Sequence, residues 1–181
     1  MLPIGLLMIE HRLIERLIAV MEKHAERIKK ERLTDIDFID NCVDFIKTYA
    51  GRCHHGKEED ILFRDLKKKT LSDKHLVTLN ELIDEHNYAR NLTSKLVETR
   101  NKYFNNKTEA EKQILAFEIY GYLKQLIDLY PKHIKKEDKE FFLPVMHYFS
   151  DRQKEDMLNQ FLDFDRKLIH EKYRKIIESY E

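Results

Sequence analysis

The residues with most chemistry to offer lie in Cys53-His54-His55-Gly56-Lys57-Glu58-Glu59-Asp60 and in its echo, His133-Ile134-Lys135-Lys136-Glu137-Asp138. Each stretch sets a histidine four residues ahead of a glutamate. On a helix that spacing stacks imidazole and carboxylate on one face, a turn apart, as a ready pair of metal donors. Upstream of each lies a Glu-His dipeptide, Glu10-His11 and Glu85-His86. The order is histidine, then histidine with glutamate, played twice: His11 to His54 spans 43 residues and His86 to His133 spans 47, while the two rounds are offset by 75 and 79.

A lone histidine on an apolar stripe is ordinarily a hydrogen-bonded core residue, and a lone His/Glu pair is ordinarily a surface ion pair. Here four histidines and two carboxylates fall on or beside inward faces, and burying them unpaired would be costly. A metal centre satisfies them together. Imidazole and carboxylate without thiolate suit iron, manganese or zinc. Six donors exceed one tetrahedral zinc but match two ions that each take two histidines and share two bridging carboxylates. Positions left open on two irons can bind oxygen, peroxide or nitric oxide, or pass electrons. His24, His75, His147 and His170 have no counterpart in the other round and are expected to be solvated or structural. Glu15 is expected to pair with Arg12 or Arg16 at the surface.

Long helices must position these groups. The first is expected over about residues 6–31, with Ile9, Leu13, Leu17, Val20, Met21 and Ile28 as its apolar stripe and His11 near the edge. Thr34 with Asp37 resembles a capping box, so a second helix begins near Asp35. Its line Ile39, Val43, Ile46, Ala50, His54, Glu58, Leu62 turns polar only at the His/Glu pair. That favours His54 with Glu58 over the competing His55 with Glu59, whose register has less apolar support. Gly51 and Gly56, each costing roughly 1 kcal/mol in a helix interior, suggest bending or close packing beside the site. Ser72 caps a third helix to about Arg100, with His86 in the middle of its stripe. Thr108 and Glu111 read as a second capping box, opening a fourth helix that reaches about Leu143, with a kink expected at Pro131. A fifth, marked by Met157, Phe161, Phe164, Leu168 and Ile176, has no ligand set of its own and reads as a cover or a partner surface. One round is a helical hairpin that cannot close a core alone, whereas two make a four-helix bundle.

Composition bounds the rest. The chain has 181 residues, 4 glycines, 3 prolines and 36% charged residues, which favours one all-α domain over turn-rich sheet. Lys+Arg and Asp+Glu both number 33, and this balance recommends neither nucleic acid nor a cationic partner. The apolar opening Met1 to Ile9 is broken early by Glu10-His11-Arg12 and has no basic leader, so neither a signal peptide nor a membrane span is expected. Cys42 and Cys53 lie eleven apart along one helix, too far to bridge, and a reducing cytoplasm is the expected setting.

With these residues in place, the sequence resembles the hemerythrin-like HHE cation-binding domains. The Glu-His, His-His-x-Lys-Glu-Glu, Glu-His and His-x-x-Lys-Glu motifs match in order from Glu10 to Pro144. The resemblance implies an up-down-up-down four-helix bundle over about 6–144, with an additional C-terminal helix over about 151–180. It also implies a non-haem site of two iron ions, oxo- or hydroxo-bridged, with manganese or zinc as alternatives. Carried over residue by residue, the ligands are His11, His54, His86 and His133, with Glu58 and Glu137 bridging and Asp138 a rival to Glu137. Oxygen-carrying hemerythrins place a fifth histidine one turn beyond the third-helix histidine. Here Leu82 and Arg90 stand four before and four after His86, so reversible oxygen carriage is not implied. The function expected is cytoplasmic binding, sensing or reduction of a small diatomic or peroxide ligand, with a redox or regulatory protein partner. The alternative is a metal-loaded regulatory or iron-handling module without turnover. Tyr88, Tyr120 and Tyr130 are candidate hydrogen-bond donors near the site.

Overall fold

Apolar residues at three- and four-residue steps on glycine-poor segments give helices that can bury their apolar faces only against one another. The structure, a computed structural model, describes residues 2–178, with side chains to residue 168. It is 90% helical, with no strand among the described residues. Helix α1 is Ile4–Glu31, α2 runs over 36–66, α3 is Asp73–Asn105, α4 runs over 109–145 and α5 is Asp151–Glu178. Short links at 32–35, 67–72 and 106–108 turn the first four back on one another as an up-down-up-down bundle. Helix α4 packs against both α1 and α3, and α5 lies on α2. Among the described residues no helix is long and apolar enough to cross a membrane.

The helix starts follow from capping chemistry. The Asp35 carboxylate accepts from the amides of Asp37 and Phe38, and the Ser72 hydroxyl accepts from the His75 amide, filling donors that a helix leaves open. At α4 the expected Thr108 box gives way to Asn106, which accepts from the Thr108 amide and donates to Glu111. Pro131 sits inside a helix that continues unbroken to Lys136.

Helix α1 corrects the expected stripe. Ile9, Leu13 and Val20 are 62%, 38% and 44% exposed, and the buried line is Leu7, His11, Ile14, Ile18, Met21, Ala25 and Ile28. Apolar residues cover more than one face of α1, so composition alone does not say which face turns inward. The buried one puts His11 in the middle of the stripe rather than at its edge.

The core is divided. One apolar layer gathers Ile14, Ile18, Ile46, Ala50, Ala89, Leu92, Tyr130 and Ile134, among others. The other gathers Leu7, Ile61, Leu62, Phe63, Leu82, Phe141 and Phe142 with Met157 and Phe161 of α5. On every bundle helix the candidate ligands fall between the two layers: His11 between Leu7 and Ile14, His54 between Ala50 and Ile61, His86 between Leu82 and Ala89, His133 between Tyr130 and Phe141. Where α2 and α4 cross this level they widen into i→i+5 turns, at Phe45–His55, Glu58–Phe63 and Glu137–Phe141. Such turns are rare and concentrate at functional sites.

Helix α5 closes the bundle over α2. Met157 and Phe161 are buried, and Phe164 covers Gly56 so closely that a Cβ there would meet its ring at 2.7 Å. The second glycine of α2 is thus a close-packing position. The side chains of His170 and Ile176 lie outside those described. Leu96, fully buried in the layer away from α5, tests the independence of packing and site. Leu96→Ala is expected to cost about 2–5 kcal/mol in denaturant unfolding while leaving the metal content of the folded protein unchanged by elemental analysis.

Candidate metal centre

All six residues singled out from the sequence meet in the layer between the two cores. His11, His54, Glu58, His86, His133 and Glu137 are each at most 3% exposed. The structure adds one that the sequence reading set aside: His55 is 2% exposed and stacks on His86 with ring centroids 3.8 Å apart. The choice between His54 and His55 dissolves because the widened turn at Phe45–His55 lets neighbouring residues both face inward. Glu59 takes an outer position and Glu58 an inner one. Likewise Glu137 lies inside, while Asp138 lies outside against His11.

Two donor groups result. Ligand atoms of His11, His54, Glu58 and Glu137 lie within 4.8 Å of one another, as do those of His55, Glu58, His86 and His133. Glu58 belongs to both. Its Oε1 is 3.3 Å from His54 Nε2 and its Oε2 is 3.4 Å from His86 Nε2. Glu137 Oε2 stands 3.1 Å from His11 Nε2 and 3.3 Å from His133 Nε2, and His86 Nε2 approaches His133 Nε2 to 3.2 Å.

Outside this cluster a ring of four carboxylates fixes the imidazoles. His11 Nδ1 donates to Asp138 at 2.8 Å, His54 Nδ1 to Glu10 at 2.9 Å, His86 Nδ1 to Glu59 at 2.6 Å and His133 Nδ1 to Glu85 at 2.7 Å. Each carboxylate is answered by a cation: Arg12, Lys57, Arg90 and Lys136 respectively. A proton held at Nδ1 turns the Nε2 lone pair inward, the arrangement that orients metal-ligating histidines. The Glu-His dipeptides therefore work across helices: Glu10 serves His54 and Glu85 serves His133, not the histidines beside them.

Inside the ring the polar atoms lack partners. His11 Nε2, His54 Nε2, both nitrogens of His55 and all four carboxylate oxygens of Glu58 and Glu137 are buried without a hydrogen bond. Among the described residues, only Thr34 Oγ1 shares that condition elsewhere. Buried polar groups are ordinarily hydrogen-bonded, so a cluster of bare donors is the signature of a site shaped for cations, and its imidazole and carboxylate composition fits transition metals.

The charges of the cluster act strongly on one another. Burial raises Glu58, but the neighbouring His54, His86 and His11 more than offset it and hold it well below the carboxylate range. Glu137, buried beside the charge of Glu58, is driven well above it. Burial opposes protonation of His54, yet Glu58 and Glu10 lift it to about 9. His55, buried and facing other imidazoles, is pushed well down, so it remains neutral and able to ligate.

The other expectations fall out plainly. His24 stacks on Phe38, His75 bonds the Tyr148 hydroxyl and His147 bonds the Pro144 carbonyl, all away from the cluster. Glu15 pairs with Arg12 at the surface. Tyr88 is exposed and bonds Gln125, and Tyr120 stacks on Phe117. Tyr130 alone of the three lies beside the cluster, its ring 6.4 Å from that of His55. A cavity of about 710 Å³ reaches this side between α2 and α3, lined by Gly51, His55, Ala89, Thr93 and Tyr130 and roofed by Phe164.

Four antiparallel helices around a buried histidine and carboxylate layer define a cation-binding helical bundle. The chain belongs to the hemerythrin HHE cation-binding domain family, whose model matches residues 2–143. Comparison with curated proteins and with solved structures gives no match.

Burial raises Glu85, but hydrogen bonds from His133 and Lys136 outweigh it and bring its pKa to about 2. Because the folded value lies below the unfolded one, the stabilisation is present above pH about 4.5 and is lost as pH falls through about 2. Acid titration of the metal-free protein by circular dichroism is expected to show stability falling across that window. Glu85→Gln should flatten the slope there.

Proposed function

We propose that this chain is a non-haem di-iron protein that binds, senses or reduces oxygen, peroxide or nitric oxide. The two ions would be held by His11, His54, Glu58 and Glu137 on one side and by His55, Glu58, His86 and His133 on the other, with Glu58 shared. The observation that carries this reading is the set of buried, inward-facing nitrogens and oxygens with no hydrogen bond, divided into two donor groups. Iron bound there would supply open coordination positions and one-electron chemistry.

The chain's own residues account for access and order. The outer carboxylates hold the imidazole tautomers, the two apolar layers exclude water, and the cavity beside His55 and Tyr130 gives a small molecule a way to the histidine-rich side. His55 enlarges the ligand set expected from sequence to five imidazoles, and its counterpart in the second round is the buried apolar Ile134.

The test is elemental analysis with an optical spectrum of protein from iron-replete medium, before and after oxygen and nitric oxide. About two irons per chain and a visible charge-transfer band that responds to the gas are expected. Colourless protein that loses its iron on gentle dialysis would sink the reading. His54→Ala or His133→Ala should lower metal content, with affinity down at least 10–100-fold on the scale of lost outer partners, whereas His24→Ala should not.

Loading should also stabilise the fold, because metal satisfies groups that the metal-free bundle leaves bare. At free metal one hundred times its dissociation constant the gain is about 2.7 kcal/mol, read as a raised melting temperature. An unchanged melting temperature would exclude a role in which metal controls the protein's availability to a partner.

A further inference from the structure

The two rounds of the repeat build matching relays behind two of the histidines: His54 to Glu10 to Lys57, and His133 to Glu85 to Lys136. They differ at the far end. Lys136 turns its remaining bonding to Glu81, a half-exposed carboxylate on α3, at 2.9 Å. Lys57 has no exposed surface, and its second partner is Asp165 of α5, at 2.7 Å. Asp165 also accepts from Cys53 Sγ at 3.2 Å, and the adjacent Phe164 is the residue pressed onto Gly56. The close grouping of Glu10, Cys53 and Asp165 has the look of a small cation site, but the ammonium of Lys57, bonded to both carboxylates, already serves as its cation. Asp165 lies beyond residues 2–143, which match the family.

We propose that Asp165 is a positioning residue for the His54 half of the metal centre, acting through Lys57 and Glu10 on the donor strength of His54. This rests on the metal-centre reading above. Glu10 divides its carboxylate, Oε2 accepting from His54 Nδ1 and Oε1 from Lys57. Lys57 in turn divides its charge between Glu10 and Asp165. Without Asp165, Glu10 is the one carboxylate among the described residues left on the buried ammonium, which draws that carboxylate's charge toward itself. Glu10 then pulls less on the Nδ1 proton, and His54 Nε2 becomes a weaker donor. The effect is local, because among the described residues none of the other three relays includes α5. By reciprocity, an ion on His54 strengthens the hold on Asp165 and so the docking of α5.

The experiment is a chelator challenge of the full-length iron-loaded protein, following release of each equivalent by the colour of the chelate and the iron left on the protein. Asp165→Asn is expected to speed release of one iron about tenfold, the low end for lost outer partners, and to leave the other at the wild-type rate. Asp165→Glu should restore retention, and Glu81→Gln, the matching change on the other relay, should leave both rates alone. Equal release of both irons in Asp165→Asn, or wild-type release of both with only a lower melting temperature, would overturn the proposal and make Asp165 a fastening of α5 alone. Wild-type protein that holds no iron at all would overturn the metal reading first, and this one with it.

Discussion

The structure depends on one constraint: a buried polar layer most of whose inward atoms have no hydrogen bond of their own. Five imidazoles and two carboxylates sit between two apolar layers. An unsatisfied buried polar group costs about 1–3 kcal/mol, so a handful of them rivals the whole stability of an ordinary domain, about 5–15 kcal/mol. The bundle tolerates this because large apolar contacts above and below hold the helices in place, and because cations are the natural complement of such a layer. Packing and metal affinity are therefore separable in space but linked in energy. The aliphatic and aromatic layers set the distances at which the donors meet, and the donors give that geometry its use.

The outer ring converts loose imidazoles into directed ligands. Each of four histidines gives its Nδ1 proton to a carboxylate, and each carboxylate leans on an arginine or lysine. That alternation of sign runs from the surface inward and removes the ambiguity of tautomer that a neutral imidazole carries. It also explains the lysines three residues after His54 on α2 and His133 on α4. Lys57 and Lys136 reach back to the glutamates of the Glu-His dipeptides, tying α2 to α1 and α4 to α3.

Much of this was legible in the sequence, for a physical reason. Two rounds of the same motif offset by 75 and 79 residues can share an interior only as two hairpins packed together, and His11, His54, Glu58, His86, His133 and Glu137 follow from that. What escaped was governed by features without a 3.6-residue signature. Alpha-helical spacing puts His54 and His55 on different lines, whereas the i→i+5 turn at Phe45–His55 widens the inward face to take both. On α1, Ile9, Leu13 and Val20 make an equally good periodic line, and it is this one that faces outward. The Glu-His dipeptides were visible, but pairing each glutamate with the histidine of a neighbouring helix requires the packing itself.

The repeat is nearly symmetric, and its two breaks fall on opposite sides. In the first round His55 stands where the second has Ile134, so one donor group is three imidazoles with one carboxylate and the other is two of each. The first group offers mostly neutral donors and lies beside the cavity under Phe164, while the second offers more negative charge and is built from α1, α2 and α4. Asp165, the other break, reaches the second group through Lys57 and Glu10. Helix α5 thus touches both halves by different means, roofing the cavity of one and completing the charge relay of the other. A cover that only shielded the core would need Met157 and Phe161; it would have no use for a carboxylate aimed at a buried lysine.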